Sequence, residues 1–220
     1  MQKSECQVSA EAIAAFSPVQ DYIDPAPLLV VISGPSGVGK DSVIDGLRQS
    51  DHAFEFVVTA TDRPPRPGEV DGVDYHFVST AEFERMIAEG ELLEYAQVYD
   101  QHKGVPKRQA LVALESGVDV LMRLDVQGAA TIRERVPGAI TIFLTASSAE
   151  ELLSRLSRRA TDSAEQIQQR FDTAVAEMAR MSEFKYVVVN HEGRLDETVR
   201  TVEAILSAEK CRTGRETIVL

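Results

Sequence analysis

The feature that most constrains this chain is a glycine-rich stretch, GPSGVGK, at residues 34–40. It follows a continuous apolar run at 28–32 and precedes a segment, 41–49, whose pattern predicts a helix. Glycines in such a turn let successive backbone N–H groups face an anion, and the helix N-terminus adds partial positive charge. A turn that merely joins a strand to a helix would not need Lys40, which can reach terminal phosphates. The motif therefore predicts a loop that binds a nucleoside triphosphate.

Strands and helices alternate along the rest of the chain, which favours a three-layer α/β fold with a parallel sheet. Apolar runs and capping residues predict strands at 54–61, 118–124, 139–145 and 186–189, and helices at 79–89, 106–117, 126–134, 163–181 and 195–208, with one more that begins at Ser148. Prolines at 64, 65 and 67 predict an exposed loop at 63–68. Residues 1–27 are expected to form an extension, with a short helix around 10–16 that ends before Pro18.

The composition is strongly acidic: 23 lysines and arginines face 35 aspartates and glutamates, for a formal net charge of −12. Such a chain should repel nucleic acid and anionic membranes unless its cations cluster. No apolar stretch reaches the roughly 18 residues that span a bilayer, and no apolar segment follows the charged N-terminus. Cys6 and Cys211 lie near opposite ends, which argues against a disulfide framework or a zinc site. These features predict a cytoplasmic protein in a reducing compartment.

The position after the lysine departs from the usual phosphate-loop pattern. A Ser or Thr hydroxyl usually stands there and binds Mg²⁺, whereas this chain has Asp41, with Ser42 one place later. A carboxylate is also a hard oxygen ligand, so Asp41 could hold the ion directly or through water, although it places a negative charge near the phosphates. Mg²⁺ dependence is therefore expected, with Asp41 as the candidate ligand.

Three segments together resemble the guanylate kinase family: residues 34–40, the segment TATDRPPRPGEVDGVDYHF at 59–77, and DVQG at 125–128. The likeness spans about residues 28–208, which leaves a C-terminal tail at 209–220. It implies a P-loop NTPase fold with two additions, namely a GMP-binding region inserted at about 60–110 and a helical lid at about 155–170. The implied reaction transfers the ATP γ-phosphoryl group to GMP with Mg²⁺ as cofactor, and no obligate protein partner is implied.

The same resemblance implies which residues bind each substrate. ATP would lie near Asn190 and on the phosphate loop, whose residues are Gly34, Pro35, Ser36, Gly37, Val38, Gly39, Lys40, Asp41 and Ser42. GMP would be bound by Thr59, Arg63, Arg66, Glu69, Tyr75, Glu94, Lys103 and Asp125.

The chemistry of the GMP residues agrees with that assignment. Arg63 and Arg66 flank prolines that stiffen their loop, so their guanidinium groups lose little entropy on binding a phosphate monoester. The Glu94 carboxylate can accept from guanine N1–H and N2–H₂, donors that adenine lacks. Taken singly, these residues could equally be solvated loop charges and a surface acid. As a spaced set behind a phosphate loop, they favour GMP binding.

Arginines cluster in the predicted lid despite the acidic composition. Arg155 and Arg159 are four residues apart on one predicted helix, and Arg170 begins the second turn of the next. By resemblance these three are the catalytic lid arginines, acting with Lys40, whereas Arg158 stands where the family often has Gly. Phosphoryl transfer spreads charge over equatorial oxygens, which arriving arginines can neutralise. The alternative is a solvated basic helix face.

Two further departures from the family pattern fall at functional positions. Arg123 stands where the family usually has an Asp, two residues before Asp125, and we hypothesise that it pairs with Asp41 or with the phosphates. Lys103-Gly-Val105 replaces Tyr-Gly-Ser or Tyr-Gly-Thr, so guanine O6 loses a hydroxyl donor. A slip of one residue in register through 99–106 would explain this second departure equally well.

Two other functions stay open on the sequence alone. The GKDS sequence at 39–42 resembles the phosphate loop of ribose 1,5-bisphosphate phosphokinase, although Glu94 and the block at 63–75 suit a guanine nucleotide better than a sugar phosphate. The second is a catalytically inactive guanylate-kinase-like module that binds phosphopeptides. The retained Lys40 and lid arginines argue against that module.

Overall fold

A computed structural model of the protein describes residue 9 and residues 14–98, 101–158 and 163–220. The strands are β1 (Leu29–Ser33), β2 (Phe54–Phe56), β3 (Ala60–Thr61), β4 (His76–Phe77), β5 (Leu92–Val98), β6 (Gln101–Pro106), β7 (Asp119–Arg123), β8 (Ile140–Thr145) and β9 (Tyr186–Val189). The helices are α1 (Gln20–Ile23), α2 (Lys40–Arg48), α3 (Thr80–Ala88), α4 (Lys107–Glu115), α5 (Val126–Arg135), α6 (Ala149–Ser157), α7 (Ala164–Met178) and α8 (Leu195–Lys210). Short 3₁₀ turns cover Ser17–Val19 and Met181–Glu183.

The main sheet is parallel, in the order β2-β7-β1-β8-β9. β1 is the central strand of this sheet, and all of its residues are buried, because helices cover both faces of a parallel sheet. Side chains of β1 alternate between two apolar cores. Val30 and Ile32 join the core that includes residues of α2, α6 and α8, whereas Leu29 and Val31 join the core that includes residues of α4 and α5. The three-layer α/β prediction is confirmed.

A smaller sheet, in the order β4-β3-β6-β5, is inserted between β2 and α4. It is mixed, because β3 runs parallel to β4 and antiparallel to β6, which is antiparallel to β5. Its own small core contains Ala60, Phe83 and Leu92. The sequence patterns did not predict β4, β5 or β6, because short strands that mix polar and apolar residues give a weak periodic signal.

The prediction of a single strand at 54–61 is wrong. β2 pairs with β7 in the main sheet, whereas β3 pairs with β6 in the smaller one. Between them, the Val57 N–H still donates to the Leu121 carbonyl (3.1 Å), and the Val58 N–H donates to the Gln109 side chain (3.1 Å). The segment 54–61 therefore contributes one strand to each of the two sheets, and Thr59 lies between those strands.

The helix starts follow the capping signals. Helices α3, α5, α6 and α7 are capped by the side chains of Ser79, Asp125, Ser148 and Ser163. Residues 10–13 of the predicted helix at 10–16 lie outside the described residues, so that helix stays a prediction. Further helical turns cover 17–23, and Pro18 lies in the first of them, where its missing N–H costs nothing.

Within the described ranges, no helix combines the length and the apolar character that a bilayer crossing requires. Cys211 is an exposed free thiol, and Cys6 lies outside the described residues. The C-terminal tail packs back onto the body of the protein. Ile218 packs against the core that includes α4 and α5, and Arg215 donates to the Ala26 carbonyl at 2.7 Å.

Gly34 follows β1 at a φ of +137°, and a methyl group there would overlap the carbonyl oxygen of Leu144. Gly34→Ala should therefore lower the thermal midpoint more than Gly68→Ala, because Gly68 also has a positive φ, +90°, but faces open space. We expect the control to lose about 1–2 kcal/mol of stability, or roughly 2–8 °C, and Gly34→Ala to lose at least about twice as much. Melting followed by circular dichroism measures the difference, and equal losses would contradict the close approach.

Candidate active site

The predicted phosphate loop joins β1 to α2 at the carboxyl edge of the main sheet. Gly34, Gly37 and Gly39 turn it with positive φ angles of 137°, 88° and 91°. Lys40 begins α2, and its ammonium group donates to the loop's own carbonyl oxygens at Gly34 (2.5 Å) and Pro35 (2.9 Å). Burial lowers the pKa of Lys40 to about 8. The loop therefore already contains the cation that an anionic ligand would meet.

Two side chains hold the phosphate loop from its outer side. Asn190 donates through Nδ2 to the Val38 carbonyl (2.8 Å), and Arg155 donates through Nη1 to the same oxygen (3.0 Å). The Asn190 amide oxygen accepts from the Thr198 hydroxyl at 2.9 Å, and the residue is buried. A Cβ on Gly39 would lie only 2.6 Å from this amide. Asn190 is thus engaged in shaping the loop, and its contact with adenine remains a prediction from the family resemblance.

Arg155, on α6, makes several polar contacts that support the phosphate loop. It forms an ion pair with Glu151, donates to Glu192 at 3.2 Å and donates to the Asn190 carbonyl at 2.7 Å. Its side chain is only 11% exposed, so Arg155 does not belong to a solvated basic face. Its guanidinium lies against the phosphate loop through Val38, as a lid residue near ATP would require.

The other predicted lid arginines have different surroundings. Arg170, on α7, donates to the Ser36 hydroxyl at 3.0 Å and so also contacts the phosphate loop. Arg158 is exposed and pairs with Glu192 at 2.7 Å. Arg159 lies outside the described residues, so its predicted role remains a prediction.

The hypothesised pairing of Asp41 with Arg123 is confirmed. Arg123 ends β7, which is next to β1, and its guanidinium forms an ion pair with the Asp41 carboxylate in the first turn of α2. Burial lowers the pKa of Arg123, and its charge also acts on Lys40. At this edge of the sheet, the strand end supplies a cation and the loop side supplies the carboxylate.

These residues fit a metal ion bound together with phosphates. Among the residues that the structure describes, no three His, Cys, Asp or Glu side chains group as a metal site. Mg²⁺ at a nucleotide usually takes one or two carboxylates and completes its shell with water and phosphate oxygens. The Asp41 side chain is 67% exposed, so its carboxylate is accessible to such an ion.

Arg63 is buried and already paired on the other side of the cleft. Its Nη1 and Nη2 donate to the two carboxylate oxygens of Glu69 at 2.7 and 2.6 Å, and its guanidinium lies 4.9 Å from the Tyr75 ring centre. Hydrogen bonding from Arg63 lowers the pKa of Glu69 to about 2. Arg66 is exposed, and its backbone N–H also donates to Glu69 at 2.7 Å. The fork of Arg63 is therefore preorganised, but Glu69 fills it in this structure.

The small sheet places Lys103 beside the same aromatic ring. Lys103 pairs with Thr61 across β6 and β3, and its ammonium lies 5.9 Å from the Tyr75 ring centre. Val105 stands opposite Glu94 and is 1% exposed, within the core that includes α4 and α5. Val105 offers no hydroxyl to a base.

Glu94 is a buried acid, which contradicts the alternative of a surface carboxylate. It is 5% exposed on β5, and its Oε2 has no hydrogen-bond partner among the described residues. Burial, together with the negative charge of Asp125, raises the pKa of Glu94 to about 7, against the opposing charge of Arg135. A Cβ on Gly128 would lie 3.0 Å from the Glu94 carboxyl carbon, so only glycine leaves this room. Buried carboxylates are normally paired, so an open acceptor here fits a ligand that brings donors.

Asp125 lies between the two halves of the site. Its carboxylate accepts from the Gly128 N–H at 2.8 Å and caps α5, and its charge acts on both Lys40 and Glu94. A cleft of about 460 Å³ also connects the halves, with Asp41, Arg123, Thr59, Glu69 and Tyr75 among its lining residues. A larger cavity of about 740 Å³ lies between the N-terminal segment and the C-terminal tail. Predicted site residues line the smaller cleft, whereas none of them lines the larger cavity, so we assign the candidate site to the smaller cleft and the phosphate loop beside it.

Sequence reasoning missed Glu177, on α7. Its side chain is half-buried, and burial raises the pKa of Glu177 while the positive charge of Lys40 opposes that rise. It lies seven residues after Arg170, so both side chains fall on one face of the helix. The spacing of seven residues from a predicted lid arginine is the signal in the sequence that could have indicated Glu177.

Most of the chain is similar to known proteins of one family. The family model described as guanylate kinase matches residues 27–209. Guanylate kinase 2, chloroplastic/mitochondrial, of Oryza sativa subsp. japonica is 50% identical over 195 residues, which cover 88% of this chain and 68% of that protein. Guanylate kinase of Caldanaerobacter subterraneus subsp. tengcongensis is 44% identical over 188 residues, covering 86% and 90%. The crystal structure of guanylate kinase from Anaplasma phagocytophilum is similar with a TM-score of 0.68 and 30% identity, over 86% of this chain and 89% of that one.

The fold and the site define a nucleotide kinase of the P-loop type, with a phosphate loop at the edge of a parallel sheet, arginines in contact with that loop and a second, smaller sheet. Within that class, the match to the family model and the high identity to its members settle the assignment. The chain belongs to the guanylate kinase family.

We expect Asp41 and Arg123 to compensate for each other, so that replacing both residues with those usual in the family restores activity. Asp41→Thr introduces the hydroxyl usual at that position, and Arg123→Asp places the carboxylate at the strand end. Asp41→Thr leaves the Arg123 cation unpaired, and Arg123→Asp brings two carboxylates together. We therefore expect each single change to slow ADP formation at least about 10-fold and the double variant to recover to within about 3-fold of the parent. Steady-state kinetics over a Mg²⁺ titration measures this.

The matched control is the Arg133–Glu183 pair, which joins α5 to a 3₁₀ turn at 2.8 Å. Its double variant, Arg133→Asp with Glu183→Thr, should leave the Mg²⁺ requirement unchanged. Additive losses in the Asp41/Arg123 double variant would contradict an exchange between the two positions.

Proposed function

We propose that the cleft between the two sheets is the site at which the γ-phosphoryl group of ATP passes to GMP, giving ADP and GDP. ATP-dependent phosphorylation of GMP is the activity of the family, whose named members are 41–50% identical to this chain over most of its length. The observation that carries the proposal is the buried Glu94 carboxylate, whose Oε2 has no partner among the described residues, across Asp125 from a phosphate loop that contains Lys40.

The phosphate loop would bind the ATP phosphates. Its backbone N–H groups and the N-terminus of α2 provide a positive concavity, and Lys40 would exchange its bonds to Gly34 and Pro35 for phosphate oxygens. Arg155 already contacts the loop at Val38, and Arg170 contacts it at Ser36. With Arg159, they would neutralise the charge that develops on the transferring group and help to exclude water.

We place Mg²⁺ at Asp41, in line with the accessible carboxylate there. Asp41 would hold the ion, and the chemistry that Mg²⁺ would supply there is positive charge to neutralise the transferring group. Arg123 holds the Asp41 carboxylate in place at the sheet edge. Ser42, one residue further along α2, has a hydroxyl that is the second candidate oxygen ligand in the sequence.

Glu94 would select the base of the acceptor. An ionised carboxylate accepts from both N1–H and N2–H₂ of guanine, whereas adenine presents an acceptor at N1 and no group at C2 that could donate. Binding adenine would leave a buried charge unpaired, which is the strongest form of rejection available to a polar site. Thr59, which lines the cleft, and Asp125, whose negative charge acts on Glu94, would complete the polar surroundings of the base.

The GMP phosphate would lie near Arg63, Arg66, Tyr75 and Lys103. Arg63 is held by Glu69, so that ion pair would open or share its donors when phosphate arrives. Lys103 adds a cation beside Tyr75. The substrates are small molecules, and we propose a cytoplasmic setting, which the sparse cysteine content favours.

The first test is ADP formation from Mg-ATP with GMP, dGMP, AMP and ribose 1,5-bisphosphate offered in parallel. Turnover with GMP is expected, and turnover with the sugar phosphate alone would replace this proposal with the phosphokinase. Lys40→Ala should lower turnover at least about 1,000-fold, because it removes a preorganised charge at the phosphates. Lys107→Ala, which removes a lysine at the start of α4, is the matched control and should keep parental turnover.

Glu94→Gln should reduce the preference for GMP over AMP by about 100-fold, because the amide keeps one acceptor and replaces the other with a donor. The kcat/KM values for the two nucleotides measure this. Glu91→Gln, at an exposed glutamate three residues earlier that pairs with Arg85, is the control. Unchanged base preference in Glu94→Gln would remove this residue from the site.

The pH dependence should report the same carboxylate. Because the pKa of Glu94 is about 7, protonation below that pH fills one of its acceptor oxygens. We therefore expect kcat/KM for GMP to fall as pH decreases through 7, approaching 10-fold per pH unit. In Glu94→Gln this acid limb should disappear, and its persistence would assign the ionisation to another group.

A further inference from the structure

The smaller sheet contains a buried acid–imidazole pair that the proposed reaction does not use. Asp62 follows β3 directly, and its carboxylate accepts from the His102 ring at Nδ1 (2.6 Å) and from the His102 backbone N–H (2.6 Å). The Thr80 hydroxyl, at the start of α3, also donates to this carboxylate at 3.2 Å. The Asp62 side chain is only 5% exposed. A buried carboxylate with three donors is held in one place, unlike a solvated surface charge.

This pair lies where the hydrogen-bond ladder between β3 and β6 ends. Thr61 is opposite Lys103, so Asp62 and His102 occupy the next pairing position. β3 stops at Thr61, and the proline-rich loop follows, in which the backbone cannot continue a ladder. Side chains instead bind both backbone groups of His102: Asp62 accepts from its N–H, and the buried Thr61 hydroxyl donates to its carbonyl at 2.8 Å. Side-chain hydrogen bonds therefore fix the end of this ladder.

The next residue after each member of the pair is a cation on another side of the strands. The His102 ring stacks on Phe83 of α3, with 5.2 Å between the ring centres. Its neighbour Lys103 has its ammonium 5.9 Å from the Tyr75 ring centre. The guanidinium of Arg63, which follows the acid of the pair, lies 4.9 Å from the same centre. Because successive strand side chains point to opposite faces, the backbone that holds the pair also directs both cations towards Tyr75.

Two cations beside one aromatic ring repel each other, so their positions need support from the backbone. Burial and the charge of Arg63 both lower the pKa of Lys103, in keeping with that proximity. A phosphate would gain most from donors that are already held together, because less side-chain entropy is then lost on binding. Hydrogen bonds on the far face of the same strands can hold these donors without occupying the ligand's place.

We propose that Asp62 and His102 are positioning residues: by fixing the end of the β3–β6 ladder, they hold Arg63 and Lys103 where both can meet one nucleotide phosphate. Neither member of the pair contacts the ligand, and each acts through the residue that follows it in the chain. This inference rests on the proposed function, because it assigns Arg63 and Lys103 to the phosphate of GMP.

The test compares the binding of GMP with that of guanosine, which lacks the phosphate, by calorimetry on the full chain. Both ligands offer the base to Glu94, on β5 of the same sheet, but only GMP offers an anion to Arg63 and Lys103. We expect Asp62→Ala to weaken GMP binding about 10-fold and guanosine binding less than about 2-fold, because it disturbs the phosphate donors and leaves Glu94 in place.

A second variant approaches the pair from the imidazole. His102→Ala should give the same pattern with a smaller loss of GMP affinity, about 3- to 5-fold, because the backbone N–H still reaches Asp62. The matched control is His52→Ala, which removes an imidazole that contacts another buried carboxylate, Asp119, at the same distance of 2.6 Å. That contact lies at the start of β7 in the main sheet, so both ligands should bind to the control as they do to the parent.

Three results would overturn the proposal. Equal weakening of GMP and guanosine binding by Asp62→Ala would mean that the pair only stabilises the sheet that also bears Glu94. Unchanged GMP binding would mean that the two cations keep their positions without the pair. A selective loss of GMP binding in His52→Ala would mean that the effect is not specific to this pair.

The contact itself can be measured without a ligand. An ionised carboxylate only accepts hydrogen bonds, so the 2.6 Å contact requires a proton on Nδ1 of His102. Nitrogen-15 NMR of the imidazole should therefore show a protonated Nδ1 in the parent. In Asp62→Ala, at a pH where the ring is neutral, we expect the proton to move to Nε2. An unprotonated Nδ1 in the parent would contradict the pair.

The positioning role and the proposed function fail in different ways. If the parent bound GMP no more tightly than guanosine, the assignment of Arg63 and Lys103 to a phosphate would fail, and the proposed function with it. If the parent preferred GMP and Asp62→Ala kept the full preference, the positioning role alone would fail.

Discussion

The carbonyl oxygen of Val38 accepts hydrogen bonds from two side chains, and the rest of the site depends on that arrangement. Asn190 follows β9 and Arg155 comes from α6, so two separate elements hold one point of the phosphate loop. Glycines at 34, 37 and 39 allow the turn, but conformational freedom alone does not keep a loop open. The buried hydrogen bonds supply the constraint, because breaking either would leave a polar group unpaired in a dry environment.

The acidic composition and the basic site are compatible because the cations are local and partly neutralised. Arg123, Arg63 and Arg155 each have a carboxylate partner, respectively Asp41, Glu69 and Glu151. Such pairs fix the guanidinium groups before a ligand arrives, so less side-chain entropy is lost on binding. They also reduce the local positive charge, so phosphates must compete with carboxylates for the donors. The site therefore favours ligands that offer several charges and the correct geometry.

Much of the architecture followed from the sequence, and the exceptions have physical causes. The buried strands and the capped helices were predicted because apolar runs and Ser or Asp caps are local signals. The pattern at 54–61 predicts one strand. Periodicity does not show that Val57 hydrogen-bonds to β7 whereas Ala60 pairs with β6 in the smaller sheet. The hairpin of β5 and β6 was missed because Glu94 and Lys103 interrupt its apolar pattern, and those are the residues that the site uses.

The site residues also divide into those whose arrangement was predicted from the sequence and those whose arrangement was not. The loop motif and the Asp41–Arg123 pairing were predicted because both rest on sequence position and charge, and the sheet order brings β7 beside β1. The pairing of Arg63 with Glu69 was not predicted, because it depends on side-chain directions that residue spacing leaves open.

The bonds from Lys40 to its own loop bear on which anions the protein ignores. Because the ammonium group already has two carbonyl acceptors, at Gly34 and Pro35, only one of its three N–H donors is left for an incoming anion unless those bonds break. A chloride ion or a single inorganic phosphate would gain few contacts in return for breaking them, whereas a triphosphate chain would also meet the N–H groups of the loop backbone. The resting arrangement of Lys40 therefore weights the loop towards ligands that are long enough to follow its curve.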